Sequence, residues 1–408
     1  MPNNECINSL LFLRHLNCKD TKFMNISFNL EPIILILLGI SFFFALIFIF
    51  WEYINLHSLK KCIKKSLSLS KDNTEGVSVI IYADNDTENL SHNLHNFLSQ
   101  DYPNYEIIIV NDGANEATNT LLEDMMQQAP NLRLTYTPND ARNLSRKKLA
   151  IMVGIKAAQN DIIITTNGNC TPVSNQWIKS IAKHFNNGAD VVIGHTTLPL
   201  HSRLNHFLRQ VDTVKYLTHA LRHKPYRGIS DNLAYRKSLF FKNKGFSHSM
   251  HLHFGEDDLF INEIANSRNT CVEITPESLI QVQQHNADHE FTVTKLRRLF
   301  TERMIRSAAF PLAIIKSLLP LLSTATMIAA IVFAFTNAVI YGVALLLFIL
   351  GTTLHLLIYH KTGAILRTDR ANIFIPFYSL VHPFIALYYN IRSRRHTAYN
   401  LTWQPLHK

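Results

Sequence analysis

The runs VSVIIYADND (Val77–Asp86), EIIIVNDGA (Glu106–Ala114), LRLTY (Leu132–Tyr136) and DIIITTNGNC (Asp161–Cys170) decide the fold. Most are short blocks of Val and Ile closed by Asn, Asp or Gly, the pattern of strands buried on both faces and ended by a turn. Helix-like segments lie between them at Leu90–Leu98, Thr118–Gln128 and Lys147–Ala158, and DVVIG (Asp190–Gly194) reads as a fifth strand. Alternation of this kind implies an α/β fold with a mainly parallel sheet. Ligands of such sheets bind beyond the C-terminal strand ends. Those ends carry Tyr82-Ala83-Asp84-Asn85-Asp86, Asn111-Asp112-Gly113-Ala114 and Asn167-Gly168-Asn169. Acidic and amide groups there can hydrogen-bond a nucleoside and hold a cation near a diphosphate. The plainer reading is that turns prefer Asp and Asn.

Outward from this core the chain becomes apolar on both sides. Ile33–Tyr53 is interrupted only by Gly39, Ser41 and Glu52, and matches the roughly twenty residues needed to cross a bilayer. It is too long and starts too late for a cleaved signal peptide. Leu318–Phe335 and Ala338–Tyr359 read as a membrane hairpin turning near Asn337. Ile373–Tyr389 contains Pro376 and Pro383 and has arginines on both flanks; a re-entrant or interfacial segment and a third span both stay open. The net charge of +10 is concentrated beside these segments, at Lys60, Lys61, Lys64, Lys65 and Lys71 and at Arg297, Arg298, Arg303, Arg306 and Lys316. Basic flanks mark the cytoplasmic side and meet anionic lipid headgroups, so the charge indicates membrane lipids and not nucleic acid. Cys6, Cys18, Cys62, Cys170 and Cys271 show no paired spacing, which fits a reducing compartment for the middle domain and gives no zinc pattern.

The run VSVIIYADND…NFLSQDYPNYEIIIVNDGANEAT…SRKKLAIMVGIKAAQNDIIITTNGNCTP resembles the inverting glycosyltransferases of family 2, which have a nucleotide-sugar-binding GT-A fold. The resemblance continues through YRGISDNLAYRKSLFFKNKGF and GEDDLFIN to about Arg306, and looks closest to a membrane-bound branch common in bacterial surface-polysaccharide pathways. It implies that Asp112 contacts the nucleotide base, with Tyr82, Ala83 and Asp86 from the first-strand loop, and that Lys147 or Lys148 lies near the phosphates. The family's metal-binding Asp-x-Asp falls on Asn167-Gly168-Asn169, which bring oxygens but no charge. A Mg²⁺ or Mn²⁺ site here is therefore expected to be weak, because hard cations prefer carboxylates.

In Gly255-Glu256-Asp257-Asp258 the resemblance makes Asp257 the general base, with Glu256 and Asp258 beside the substrate. Asp258 is the fallback base or a helix cap, since acids at a helix start also satisfy its free N–H groups. His248, His251 and His253 are candidates for a supplementary metal ligand, although loop histidines need no such role in a chain with twenty. Lys295-Leu-Arg-Arg298-Leu299 stands where processive relatives carry Gln-x-x-Arg-Trp; Arg298 fits, as a diphosphate contact or as part of a membrane-proximal basic face, and the missing aromatic disfavours a processive synthase.

The expected organisation is an N-terminal segment (1–30), a transmembrane helix (31–53), a basic linker (54–75) and a GT-A domain (76–300). A membrane-proximal amphipathic segment (301–317), two or three membrane segments (318–391) and a basic tail (392–408) follow. The expected protein is a multi-pass enzyme of the inner membrane with a cytosolic catalytic domain. Its partners are a nucleotide-diphosphate sugar and a lipid-linked or glycan acceptor. The rival is a catalytically silent scaffold subunit, motivated by the Asn-Gly-Asn turn. With the basic flanks cytosolic, cysteines placed at positions 75 and 290 should resist membrane-impermeant thiol reagents on intact cells. Labelling of either from outside would overturn this topology.

Overall fold

The computed structural model describes residues 30–70, 75–84, 87–112, 116–138, 145–305, 307, 309–333, 338–368 and 372–395. Cys6, Cys18, Lys71, Asp86, Arg306 and Asn337 lie outside them. In chain order the elements begin with α1 (Leu30–Leu67), β1 (Val77–Ala83), α2 (Thr87–Leu98), β2 (Tyr105–Asn111), α3 (Glu116–Gln128), β3 (Leu132–Tyr136), α4 (Arg146–Ala157) and β4 (Ile162–Asn167). They continue with β5 (Cys170–Pro172), α5 (Trp177–Ala182), β6 (Val191–Ile193), β7 (Thr196–Thr197), α6 (Arg203–Leu221), β8 (Leu233–Arg236), α7 (Lys237–Lys242), α8 (Leu259–Ile264), β9 (Thr270–Val272) and β10 (Ile280–Val282). The chain closes with α9 (Ala287–Thr301), α10 (Ala309–Phe333), α11 (Ala338–Ile365) and α12 (Ile375–Arg395).

Seven strands form one sheet in the order β3-β2-β1-β4-β8-β6-β9. The first four are mutually parallel, whereas β8 runs antiparallel to both neighbours. The expected fifth strand is β6, and it does not pair with β4, because β8 inserts between them. Apolar side chains alternate between two cores, as the pleat requires. Ile80, Ile108 and Ile163 pack with α4 and α6, whereas Val79, Ile107 and Ile164 pack with α2 and α5. A smaller sheet, β5-β10-β7, continues from the turn after β4.

The first apolar segment does not end at Tyr53. It continues as one 38-residue helix to Leu67, long enough to cross a bilayer and still reach the domain. Its basic end is docked: Leu59 is fully buried, Cys62 Sγ donates to the Val272 carbonyl (3.3 Å), and Ser66 donates to Glu273. Higher up, Ser41 of α1 and Ser323 of α10 each donate a hydroxyl to the other's carbonyl, and Lys316 pairs with Glu52 at 2.7 Å. Among the described residues three helices are long and apolar enough to cross a membrane, α1 from Pro32, α10 and α11. Residues 373–389 fall mostly in α12, a continuous 21-residue helix with Pro383 inside it. Cys62, Cys170 and Cys271 are free thiols.

Glu273 is fully buried where α1 meets the domain, held by Lys183 (3.2 Å), His184 (2.7 Å) and Ser66. Burial pushes its carboxyl up, but the His184 hydrogen bond and the Lys183 charge outweigh that and hold it down at about 2. Its contribution is complete above the ordinary value of 4.5 and is lost as pH falls towards 2. Glu273→Ala leaves Lys183 buried without a counter-charge. A loss of about 3–5 kcal/mol is expected, read as a lower melting temperature of the detergent-purified chain; an unchanged one would show that α1 is not docked through this cluster.

Candidate active site

Strand register brings the three polar turns together, since Tyr82 lies opposite Asn167 and Ala83 opposite Asn111. Asp112 donates its N–H to the Ala83 carbonyl (2.7 Å), and its buried carboxylate accepts from the Tyr82 hydroxyl (2.9 Å) and from Arg146. Burial and the Asp84 and Asp112 charges push the Tyr82 phenol far up, so it stays a donor. Arg146, the first residue of α4, also donates to the Pro138 carbonyl at 3.0 Å. No motif marks this arginine in the sequence. Its signal is position alone, at a helix start beside Lys147.

Beyond β4 opens a cavity of about 260 Å³. Asn167 and Asn169 enter it from the strand end, Lys147 from α4, and Glu256 and Asp257 from the turn before α8. Lys147 pairs with Glu256 at 3.2 Å and donates to Ser230 at 2.9 Å. Lys148 does not face the cavity. It is buried and donates to the Ser249 and Leu252 carbonyls, because one step along a helix rotates a side chain by about 100°. Asn169 Nδ2 donates to the Gln283 carbonyl and to Gln284, both at 3.1 Å. Asn167 Nδ2 donates to Asp231, leaving Asn167 Oδ1 buried without a hydrogen-bond partner. Asp231, which lines the same cavity from the turn ahead of β8, is a second residue, after Arg146, that sequence reasoning missed.

Gly255 opens the acidic turn with φ +104°, a conformation open to glycine and strained for other residues. Asp258 caps α8 by accepting from Leu259 N–H (2.6 Å), and Thr301 of α9 donates to its other oxygen. Burial, then the neighbouring Asp258 and Glu256 charges, push the Asp257 carboxyl up to about 7. Arg298 lines the cavity with Arg297 and Arg209. His248, His251 and His253 do not line it; His248 is exposed and lies 3.3 Å from Glu263. Among the described residues no group of three or more His, Cys, Asp or Glu is arranged to hold a metal.

Residues 78–242 match the family model described as Glycosyl transferase family 2. This domain belongs to that family. The glycosyltransferase match ends at Lys242, ahead of the Gly255–Asp258 turn. A curated relative, the glycosyltransferase AglE of Haloferax volcanii, is 26% identical over 122 residues, 29% of this chain and 38% of its own length. The chain therefore aligns with well under half of that relative. Among solved structures, the mannosyltransferase PcManGT from Pyrobaculum calidifontis, in complex with GDP-Man and Mn²⁺, gives a TM-score of 0.49 at 15% identity, covering 84% of this chain and 99% of that one. S. aureus TarS 1–349 gives 0.38 at 13% identity, covering 78% and 91%.

The raised Asp257 value ties stability to pH with a definite sign. The folded state holds the proton that the unfolded chain releases near 3.8, so this group's contribution to stability falls as pH rises from about 4 to about 7. Other carboxylates slope differently, so the readout is the difference between wild type and Asp257→Asn. The variant should gain melting temperature relative to wild type across that range and then level off. A flat difference would remove the raised carboxyl.

Proposed function

We propose that the chain transfers one sugar, with inversion, from a nucleoside-diphosphate donor to a lipid-linked or nascent glycan acceptor at the cytosolic face of a membrane. The observation that carries this reading is Asp257, a carboxylate on the cavity wall whose proton affinity lies close to neutral pH, opposite the polar end of β4. Asp112, with Tyr82 and the end of β1 at Ala83, holds the nucleoside; Asp86 belongs to the same loop and falls outside the described residues. Lys147 faces the donor's diphosphate, and Glu256 keeps that lysine in place. In the transfer step Asp257 takes the acceptor hydroxyl proton. The freed oxygen bonds to the anomeric carbon from the face opposite the leaving group, and the bond from that carbon to the phosphate oxygen breaks with its electron pair. A base poised near the working pH suits this role.

For a divalent cation the residues fit, though sparsely. The free carbonyl oxygen of Asn167 and the carboxylate of Asp231 would hold Mg²⁺ or Mn²⁺ with Asn169 near them. Asp231 restores one of the charges that the strand end lacks. The cation, when bound, supplies positive charge against the diphosphate. The Asn-Gly-Asn turn also favours a second reading, a silent scaffold, for which nucleotide release from donor sugars should stay at background.

Asp257→Asn keeps the shape of the side chain but accepts no proton. Transfer should fall roughly 10²-fold or more, while nucleotide affinity by titration calorimetry stays within twofold. Asp112→Ala should do the reverse and mainly weaken nucleotide binding. Full turnover in Asp257→Asn would sink the assignment of the base.

A further inference from the structure

The first turn of α4 is fastened to the segment 249–256 at several points. Ser145 Oγ donates to the His253 carbonyl at 2.7 Å and accepts from the Lys148 N–H. Lys147 pairs with Glu256 at 3.2 Å. Lys148 is fully buried, and its ammonium donates to the Ser249 carbonyl (2.5 Å), the Ser249 hydroxyl (3.1 Å) and the Leu252 carbonyl (3.1 Å). An ammonium has three protons to give, and here each goes to a neutral oxygen of one short turn. Among the described residues no carboxylate pairs with Lys148. Burial lowers its proton affinity to about 8, against the pull of Glu256, Asp258, Asp257 and Glu263 farther off. A methionine would fill the same space without burying a charge, so packing alone does not call for lysine here. What the lysine adds is a set of donors for buried carbonyls and a positive charge close to three consecutive acids.

We propose that Lys148 is a positioning residue for the transfer step: it holds the 249–252 turn against α4 and so fixes where the Gly255–Asp258 turn presents Asp257. This rests on the transferase reading above and adds to it a residue that touches neither substrate. The chain from Leu252 to Asp257 is short, and Ser145 and Lys147 grip it at His253 and Glu256 on the way. A shift at 249–252 is therefore passed on to Asp257 and not absorbed. On the other side Gly228 N–H donates to the Asp257 carbonyl at 2.7 Å. Arg146 of the same helical turn pairs with Asp112, so the nucleoside end and the base are both referred to one helix start. Besides Lys148, the charged groups that bear on Asp257 are Asp258, Glu256, Arg298 and Lys147.

The test compares the detergent-purified full chain with its Lys148→Met variant. UDP-glucose, GDP-mannose and dTDP-glucose serve as donors, water stands in for the acceptor hydroxyl, and nucleotide release is the activity. In the variant kcat should fall at least about tenfold, because a displaced reacting group is costly. KM for the donor should stay within twofold, since Asp112 and Arg146 are untouched. Removing a positive charge near Asp257 raises its proton affinity, so the acid limb of the kcat–pH profile should move to higher pH. Hydrogen exchange over residues 249–258 should quicken relative to the rest of the domain, a readout that needs no turnover. Should Lys148→Met fail to fold, Lys148→Gln, which keeps a donor without the charge, carries the same expectations. A folded variant that melts lower but keeps the wild-type kcat and acid limb overturns the role, and so does failure of both variants to fold, since the lysine then serves folding alone. The transferase reading fails separately, on absence of nucleotide release by the wild-type chain from every donor, and the exchange comparison then decides whether Lys148 holds the turn.

Discussion

The three polar turns at the site depend on how far the parallel ladder of β1, β2 and β4 extends beyond its strands. Asp112 N–H reaches the Ala83 carbonyl and Gly168 N–H reaches the Tyr82 carbonyl, at 2.7 and 2.8 Å. These two bonds hold the turns after β2 and β4 against the end of β1. A slip of one residue would turn Tyr82 to the opposite face and away from Asp112. The turn after β4 is also pressed from above. A Cβ on Gly168 would stand 2.6 Å from Leu90 Cδ1, and Asn93 of α2 donates to the Gly168 carbonyl. Sheet register, helix packing and turn geometry thus converge on the two asparagine side chains that enter the cavity.

A second constraint fixes the other wall. Asp258 caps α8 and receives the Thr301 hydroxyl from α9, so the helix that carries Arg297 and Arg298 is bound to the turn that carries Asp257. Adjacent carboxylates thereby acquire different chemistry. Both line the cavity, but Asp258 spends its oxygens on donors that fix structure.

Much of this was legible in the sequence. The four strand runs appear within a residue or two of where they were read, because buried Val and Ile blocks closed by turn residues leave few alternatives. β8 was not legible. Its four residues, LAYR, become a strand only by pairing with β4 and β6. Asp231 was missed for the same reason, lying 64 residues from the Asn167 it meets. Arg146 and Arg209 stand on helices where arginine is ordinary, and only the fold shows which way they point. The choice between Lys147 and Lys148 turned on helical phase, which spacing alone does not set. The basic run after Tyr53 reads as a linker by charge, yet Lys residues are good helix formers and the apolar helix carries through them.

The helix α6 joins these parts. It is bound to α1 through Arg222 and Asn55 (2.7 Å), to α9 through Asp212 and Lys295, and to α11 through Gln210 and the Tyr359 carbonyl (2.9 Å). One rigid element therefore touches the anchor, the cavity wall and the apolar helices. On the transferase reading this has a geometric consequence. An acceptor confined to the membrane gains reactivity if its headgroup and the base are held at a fixed separation, since orientation entropy is then met before the chemical step. A loosely tethered domain would lose that advantage. The continuous helix to Leu67, the buried Glu273 cluster and the contacts along α6 give the domain a fixed seat, so the distance from the apolar helices to Asp257 is set by the fold and not by a flexible tether.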